Sequence, residues 1–202
     1  IFIILPYIAT YFFGYYEETK PLLFNLIDGA IRIVLFLLYV IVISFMKDVK
    51  ILFQYHGAEH MSIHCYEKEK KLDVDNIKKF STLHPRCGTA FILIVLIVAI
   101  LTFSIITPII LMIFPQLLNI NTLLRRVILF LIRISLLPLI AGLSYEFLKF
   151  SAKFEKNAIM KIFIFPGLLM QKITTKKPNK KQIEVAIGAV KKILQLEKSK
   201  NI

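Results

Sequence analysis

Apolar and polar positions fall in long blocks along this chain, not in the short alternations of a soluble fold. Residues 1–13 are apolar and read as the tail of a first membrane span. A polar turn over 14–20 follows, and Pro21 opens the next helix where its missing N–H loses no hydrogen bond. The second span covers 22–46 and the third 89–107, the third expected to close at Pro108. A linker over 109–121 carries no charge, and a fourth span covers 126–150 with an expected kink at Pro138. Each block approaches the roughly 20 residues that a bilayer-crossing helix needs.

Between the second and third spans, 47–87 is polar. The pattern predicts an amphipathic helix over 51–70 and a turn at 71–73. A short helix capped by Asp73 or Asp75 comes next, then a turn at 83–88. After the fourth span, 158–173 is apolar but short, with Lys161 and Pro166-Gly167 inside it, and reads as interfacial or re-entrant. The last predicted helix, 180–196, aligns Ile183, Ile187, Val190 and Leu194 on one face with lysines opposite. The expected architecture is all-α: a polytopic integral membrane protein of about four transmembrane helices. It has a cytoplasmic metal-binding loop and a C-terminal amphipathic helix. The division is a membrane domain at 1–150, holding the metal-binding segment 47–88, and an interfacial and basic tail at 151–202.

Composition supports this. The 202 residues are 57% hydrophobic, with a mean hydropathy of +0.70, too apolar for a soluble domain of this size. The net charge of +13 sits on lysines beside apolar segments. It points to anionic lipid headgroups at the basic tail, and to a membrane-protein partner, instead of nucleic acid. Lysine and arginine concentrate in 47–87 and beyond Lys149, while the turn at 14–20 has Lys20 against Glu17 and Glu18. Both basic regions are therefore expected on the cytoplasmic side of a bacterial inner membrane. Arg125 and Arg126 are the misfits. Two cysteines are too few for a disulfide scaffold, and the cytoplasm would keep them reduced. Residues 1–13 lack the basic start and cleavage site of a signal peptide. The first residue is not Met, so further residues are expected to precede Ile1.

Ligand-type residues cluster in the polar segment. All four histidines, His56, His60, His64 and His84, lie within 29 residues, and Cys87 follows. His56 and His60 are one helical turn apart, so two imidazoles share a face. With Glu59 they spell H-x-x-E-H, an order in which two histidines hold zinc and the glutamate is general base. His84 and Cys87 form an H-x-x-C pair on a turn stiffened by Pro85, able to supply third and fourth ligands. The expected centre is a divalent metal, of zinc type, on His56, His60, His84 and Cys87. Glu146, Tyr145 and Arg86 are candidate neighbours of the site, and His64 is its weakest member. Asp28 and Arg32, spaced i to i+4 inside the second span, are expected to pair, because lone charges in a bilayer are costly.

These motifs resemble a known family. The run Asn25-Leu26-Ile27-Asp28-Gly29-Ala30-Ile31-Arg32 is similar to a motif of the YqhQ family of bacterial membrane proteins. So are Phe53-Gln54-Tyr55-His56-Gly57-Ala58-Glu59-His60, Leu83-His84-Pro85-Arg86-Cys87-Gly88-Thr89 and Ala141-Gly142-Leu143-Ser144-Tyr145-Glu146. Pro166-Gly167-Leu168, Gln171-Lys172-Ile173-Thr174-Thr175 and Ile183-Glu184-Val185-Ala186 continue the match in order. The resemblance implies a predicted metal-dependent enzyme. The chain departs from the family at Asp28, where Glu is usual, and at Met61, where Lys is usual. His64 matches no motif, and the family's glycine-rich N-terminal stretch is absent.

Three functions fit these readings. The first is a metal-dependent hydrolase, peptidase-like, with Glu59 as base. The second is a non-enzymatic assembly, insertion or scaffold factor with a structural metal. The third is a transporter lined by Asp28, Arg32, Arg133 and Glu146, which ranks last because no inverted halves are legible.

Overall fold

The computed structural model describes residues 2, 4–16 and 19–200. Glu17 and Glu18, used in the charge comparison, and Ile1 lie outside the described residues. The order of helices is α1 (Ile4–Phe12), α2 (Pro21–Ile43), α3 (Lys47–Glu67), α4 (Val74–Ile77) and α5 (Gly88–Ile113). A 3-10 turn (Pro115–Leu118), α6 (Thr122–Lys153), α7 (Ala158–Thr174) and α8 (Lys180–Lys200) complete it. No strand occurs among the described residues, so the chain is all-α.

Three helices, α2, α5 and α6, are long and apolar enough to cross a membrane. At 1.5 Å per residue even the 23 residues of α2 reach the roughly 30 Å of a hydrocarbon core. The nine residues of α1 do not, so the described helices supply three candidate spans where four were expected. The third span also does not stop at Pro108: α5 continues to Ile113. Proline deletes one backbone donor, but unwinding the helix in an apolar run would strand more of them. Similarly, α6 starts at Thr122, because the Asn121 side chain accepts the Leu123 N–H (2.8 Å) and caps it.

Two compact units divide the chain: Ile1–Leu38 with Phe91–Phe154, and Tyr39–Ala90 with Glu155–Ile202. In the first, large apolar side chains face outward, Met112 at 81% exposure for example, as lipid-facing helices require. Several of its polar groups pair with one another. Arg32 pairs with Asp28 (2.7 Å). Arg133 donates to the Asn25 side-chain oxygen and to the Thr107 hydroxyl, each at 3.1 Å. The misfit arginines are also engaged, Arg125 with the Leu118 carbonyl and Arg126 with Tyr7.

In the second unit, α3 presents Ala58, Met61 and Cys65 to Ile77 of α4 and Ile183 of α8, all buried. This is the apolar stripe of α8 meeting one face of α3. Asp73 is the cap of α4, accepting from the Asn76 N–H (2.9 Å). Asn179 and Gln182 cap α8 reciprocally: each backbone N–H donates to the other's side-chain oxygen, at 2.7 and 3.0 Å. Between α7 and α8 the chain runs extended across α3. The Lys176 N–H donates to the Phe53 carbonyl (2.8 Å). The Lys176 carbonyl lies so close to Gly57 that a Cβ there would sit 2.2 Å from its oxygen. Buried Gln171 pins the 83–88 turn to α7, donating to the His84 carbonyl (2.9 Å) and accepting the His84 N–H (2.8 Å).

Candidate metal centre

Helix α3 carries His56 and His60 on one face, with ring centroids 4.4 Å apart. Each ring is held from behind. His56 Nδ1–H donates to the Thr174 carbonyl (2.9 Å), and His60 Nδ1–H to the Thr82 carbonyl (2.6 Å). Those bonds place a proton on Nδ1 and leave each Nε2 for Cys87, an arrangement that metal-binding histidines adopt. Cys87 meets them: its Sγ lies 3.3 Å from His56 Nε2. One ligand atom from each of His56, His60 and Cys87 falls within 4.8 Å of the others. In a tetrahedral zinc site, with bonds of roughly 2.05 Å to nitrogen and 2.3 Å to sulfur, the two atoms stand about 3.6 Å apart. His56 and Cys87 thus stand close to the spacing that one ion requires, with His60 beside them.

His84 is placed differently. It groups with His64 and Glu67. Its Nδ1 accepts the Arg86 backbone N–H (3.1 Å), so its Nε2 carries the proton and donates to Glu67 (3.3 Å). Both ring nitrogens are therefore engaged here, although His84 lines the same cleft as Cys87 and its ring lies 5.8 Å from that of His60. Arg86 pairs with the same Glu67 carboxylate. His64 Nε2–H donates to the Leu83 carbonyl (2.7 Å), so the histidine that matched no motif helps to hold the turn. Glu67 was missed by the sequence reading. Its signal was its position, three residues after His64 and so on the same face of α3. Tyr145 and Glu146 lie exposed on α6, in the first unit.

A cleft of about 470 Å³ is lined by His56, His60 and Cys87 and equally by Glu59, Glu67, His84 and Arg86, with His60, His84 and Cys87 themselves buried in its floor. Glu59 is exposed on the rim, one turn from His56.

Electrostatics distinguish the two cysteines. Burial raises the Cys87 thiol, but hydrogen bonds from His56, His60 and Thr89, and the charge of His60, outweigh it and bring it down to about 5. His56 is raised, chiefly by its hydrogen bond to Cys87 and against its own burial. Burial, and then the Asp73 charge, push Cys65 up. Burial lowers His84, despite Glu67, so it stays neutral. The Cys87 value in the fold lies below the ordinary 9.0, so the thiolate's contribution to stability is fully present above 9.0 and is lost as pH falls through about 5. Metal-free protein is expected to show a thiolate ultraviolet absorbance step with a midpoint near that value, absent in Cys87→Ser. A step near 9.0 instead would contradict the geometry.

Comparison with known proteins agrees with the motifs. A family profile described as a protein of unknown function, DUF1385, matches residues 1–196. The uncharacterized protein YqhQ of Bacillus subtilis (strain 168) is 35% identical over 187 residues, which cover 90% of this chain and 54% of that protein. The chain thus spans about half the length of this relative. No solved structure matches. With a profile that covers almost every residue and a relative of this identity, the chain belongs to the DUF1385 family, the one its histidine and cysteine motifs resemble.

Proposed function

We propose that the chain is a multi-pass protein of the bacterial cytoplasmic membrane, with an open divalent-metal centre of zinc type on its cytoplasmic face. The centre hydrolyses a peptide-like or lipid-like bond. The observation that carries this reading is the paired carbonyl tether. Two histidines on one helical face have Nδ1 held by carbonyls, and a ligand atom of each lies within 4.8 Å of Cys87 Sγ at a cleft. Three protein donors and an open fourth position are the pattern of catalytic zinc sites, whereas structural sites close with four. An ion held there would bring bound water toward neutral pKa. Glu59 would orient that water and take its proton, while Thr174 and Thr82 keep the imidazoles in place.

Cobalt substitution tests the open position. In cobalt-loaded protein, azide or a hydroxamate is expected to shift the visible spectrum. Glu59→Gln should keep the metal and the shift, and lose complementation of a deletion strain. An unshifted spectrum with a complementing Glu59→Gln would make the site structural and the chain an assembly or scaffold factor.

Topology is tested by labelling. Cys65 is fully buried and makes a poor reporter, so exposed Lys79 is the better one. Lys79→Cys, in a background with both Cys65→Ser and Cys87→Ser, is expected to resist an impermeant maleimide in intact cells and to react once the membrane is opened. Labelling in intact cells would overturn the cytoplasmic placement.

A further inference from the structure

A second cleft, of about 620 Å³, lies in the same unit and shares no lining residue with the metal cleft. Its apolar wall is Leu83 and Pro85 from the turn and Ile164, Phe165 and Leu168 from α7. Lys156 and Lys161 stand at it, with Glu155 as the acidic member of the lining. Both lysines are exposed, and no ion pair is recorded for either among the described residues. The cleft therefore offers an apolar trough and a net positive end, the two halves of an amphiphilic anion.

The surface of α7 says where such a molecule comes from. Ile164, Gly167, Met170, Gln171 and Thr174 form its buried face. Gly167 packs so closely on Ala90 that a Cβ would come within 2.7 Å of the alanine methyl. The opposite face is apolar too: Ile159, Ile162, Phe165 and Leu169 recur at helical spacing, at 49% to 70% exposure. A helix apolar on both faces needs an apolar solvent for the outer one, which the bilayer interface provides. Phe165 belongs both to that stripe and to the cleft wall, so the lipid-like surface continues into the cleft.

We infer that this cleft holds one anionic phospholipid, its phosphate between Lys156 and Lys161 and an acyl chain along Leu83, Ile164 and Leu168. The inference stands on this cleft alone and does not require the metal reading.

The chain contains no tryptophan, so a single introduced one reports on one place. Phe165→Trp would be placed in nanodiscs of phosphatidylcholine with either brominated phosphatidylglycerol or brominated phosphatidylcholine at equal mole fraction. Leu139→Trp, on exposed Leu139, serves as the bulk-lipid control. With Glu155 offsetting one of the two lysines, the attraction is that of about one net charge, so phosphatidylglycerol should be enriched roughly 5-fold at Phe165→Trp relative to the control. Lys156→Gln with Lys161→Gln should bring the two lipids close to equal, with the thermal midpoint unchanged. Equal quenching by both lipids in the parent, or a preference that survives the double substitution, would overturn the inference. So would a preference abolished by inorganic phosphate, which would mark a soluble anion site, or no quenching by either lipid, which would mark a closed or protein-filled cleft.

Discussion

His60→Ala is expected to empty the metal centre. It removes one of three converging donors and leaves His56 and Cys87 as a two-point site. Loss of an outer-shell partner alone typically costs about 10- to 100-fold in metal affinity, and loss of a ligand should exceed the upper figure. Metal analysis of purified wild type should find close to one ion per chain, and the variant almost none. Cys87→Ser should behave likewise. His64→Gln should retain the ion, because His64 spends its Nε2–H on the Leu83 carbonyl, away from the centre. Equal metal content in wild type and His60→Ala would sink the metal reading. Loss in His64→Gln with retention in His60→Ala would move the ion to the group of His64, Glu67 and His84. Protons compete with the ion for the same lone pairs, so retention should begin to weaken as pH falls through the raised range of His56, above its ordinary 6.5, and fall further through about 5, where the Cys87 thiolate is neutralised.

Gly57→Ala should be the most destabilising single methyl in the second unit. The new Cβ would lie 2.2 Å from the Lys176 carbonyl oxygen, and that obstacle is backbone, not the movable end of a side chain. Relief means lifting the extended segment off α3. The hydrogen bond from the Lys176 N–H to the Phe53 carbonyl then goes, and the Thr174 carbonyl behind His56 is disturbed. Overpacking of about 1–3 kcal/mol and a lost hydrogen bond of about 1 kcal/mol together predict a loss of about 2–4 kcal/mol. For a chain of this length that lowers the unfolding midpoint by roughly 4–16 °C. Gly188→Ala is the matched control, since nothing lies within 4 Å of a Cβ there and alanine is the better helix former by up to about 1 kcal/mol. Scanning calorimetry in one detergent should move the two variants in opposite directions. A Gly57→Ala midpoint at or above that of wild type would mean the close approach at Lys176 is absent.

How much of this was legible in the sequence depended on which chemical group carried the signal. Side-chain periodicity carried the helices, so α2, α3, α5, α6 and α8 stand where the apolar blocks placed them, within a few residues. It also put His56 and His60 on one face. Proline misled at the end of α5, because in an apolar run the helix goes on through a missing donor more readily than it unwinds. The H-x-x-C reading of His84 and Cys87 assumed that ligand-type side chains close together seek the same ion. A backbone N–H, that of Arg86, takes His84 Nδ1 instead. The tethers of His56 and His60 were illegible for the same reason: their acceptors are carbonyls of Thr174 and Thr82, and every residue in the chain has a carbonyl. Glu67 stood in plain view at helical spacing but reads from sequence as one more charge on a solvated end.

The Thr174 tether also sets a chronology. It joins residues 118 positions apart, so His56 leaves the ribosome well before the carbonyl that will fix its tautomer. At translation rates of about 5–20 residues per second, the interval is roughly 6–24 s. Throughout it the imidazole lacks the acceptor that will fix its tautomer. The geometry around His56 is therefore completed late: a nascent chain halted before Thr174 would carry both histidines without the tether that holds the His56 ring.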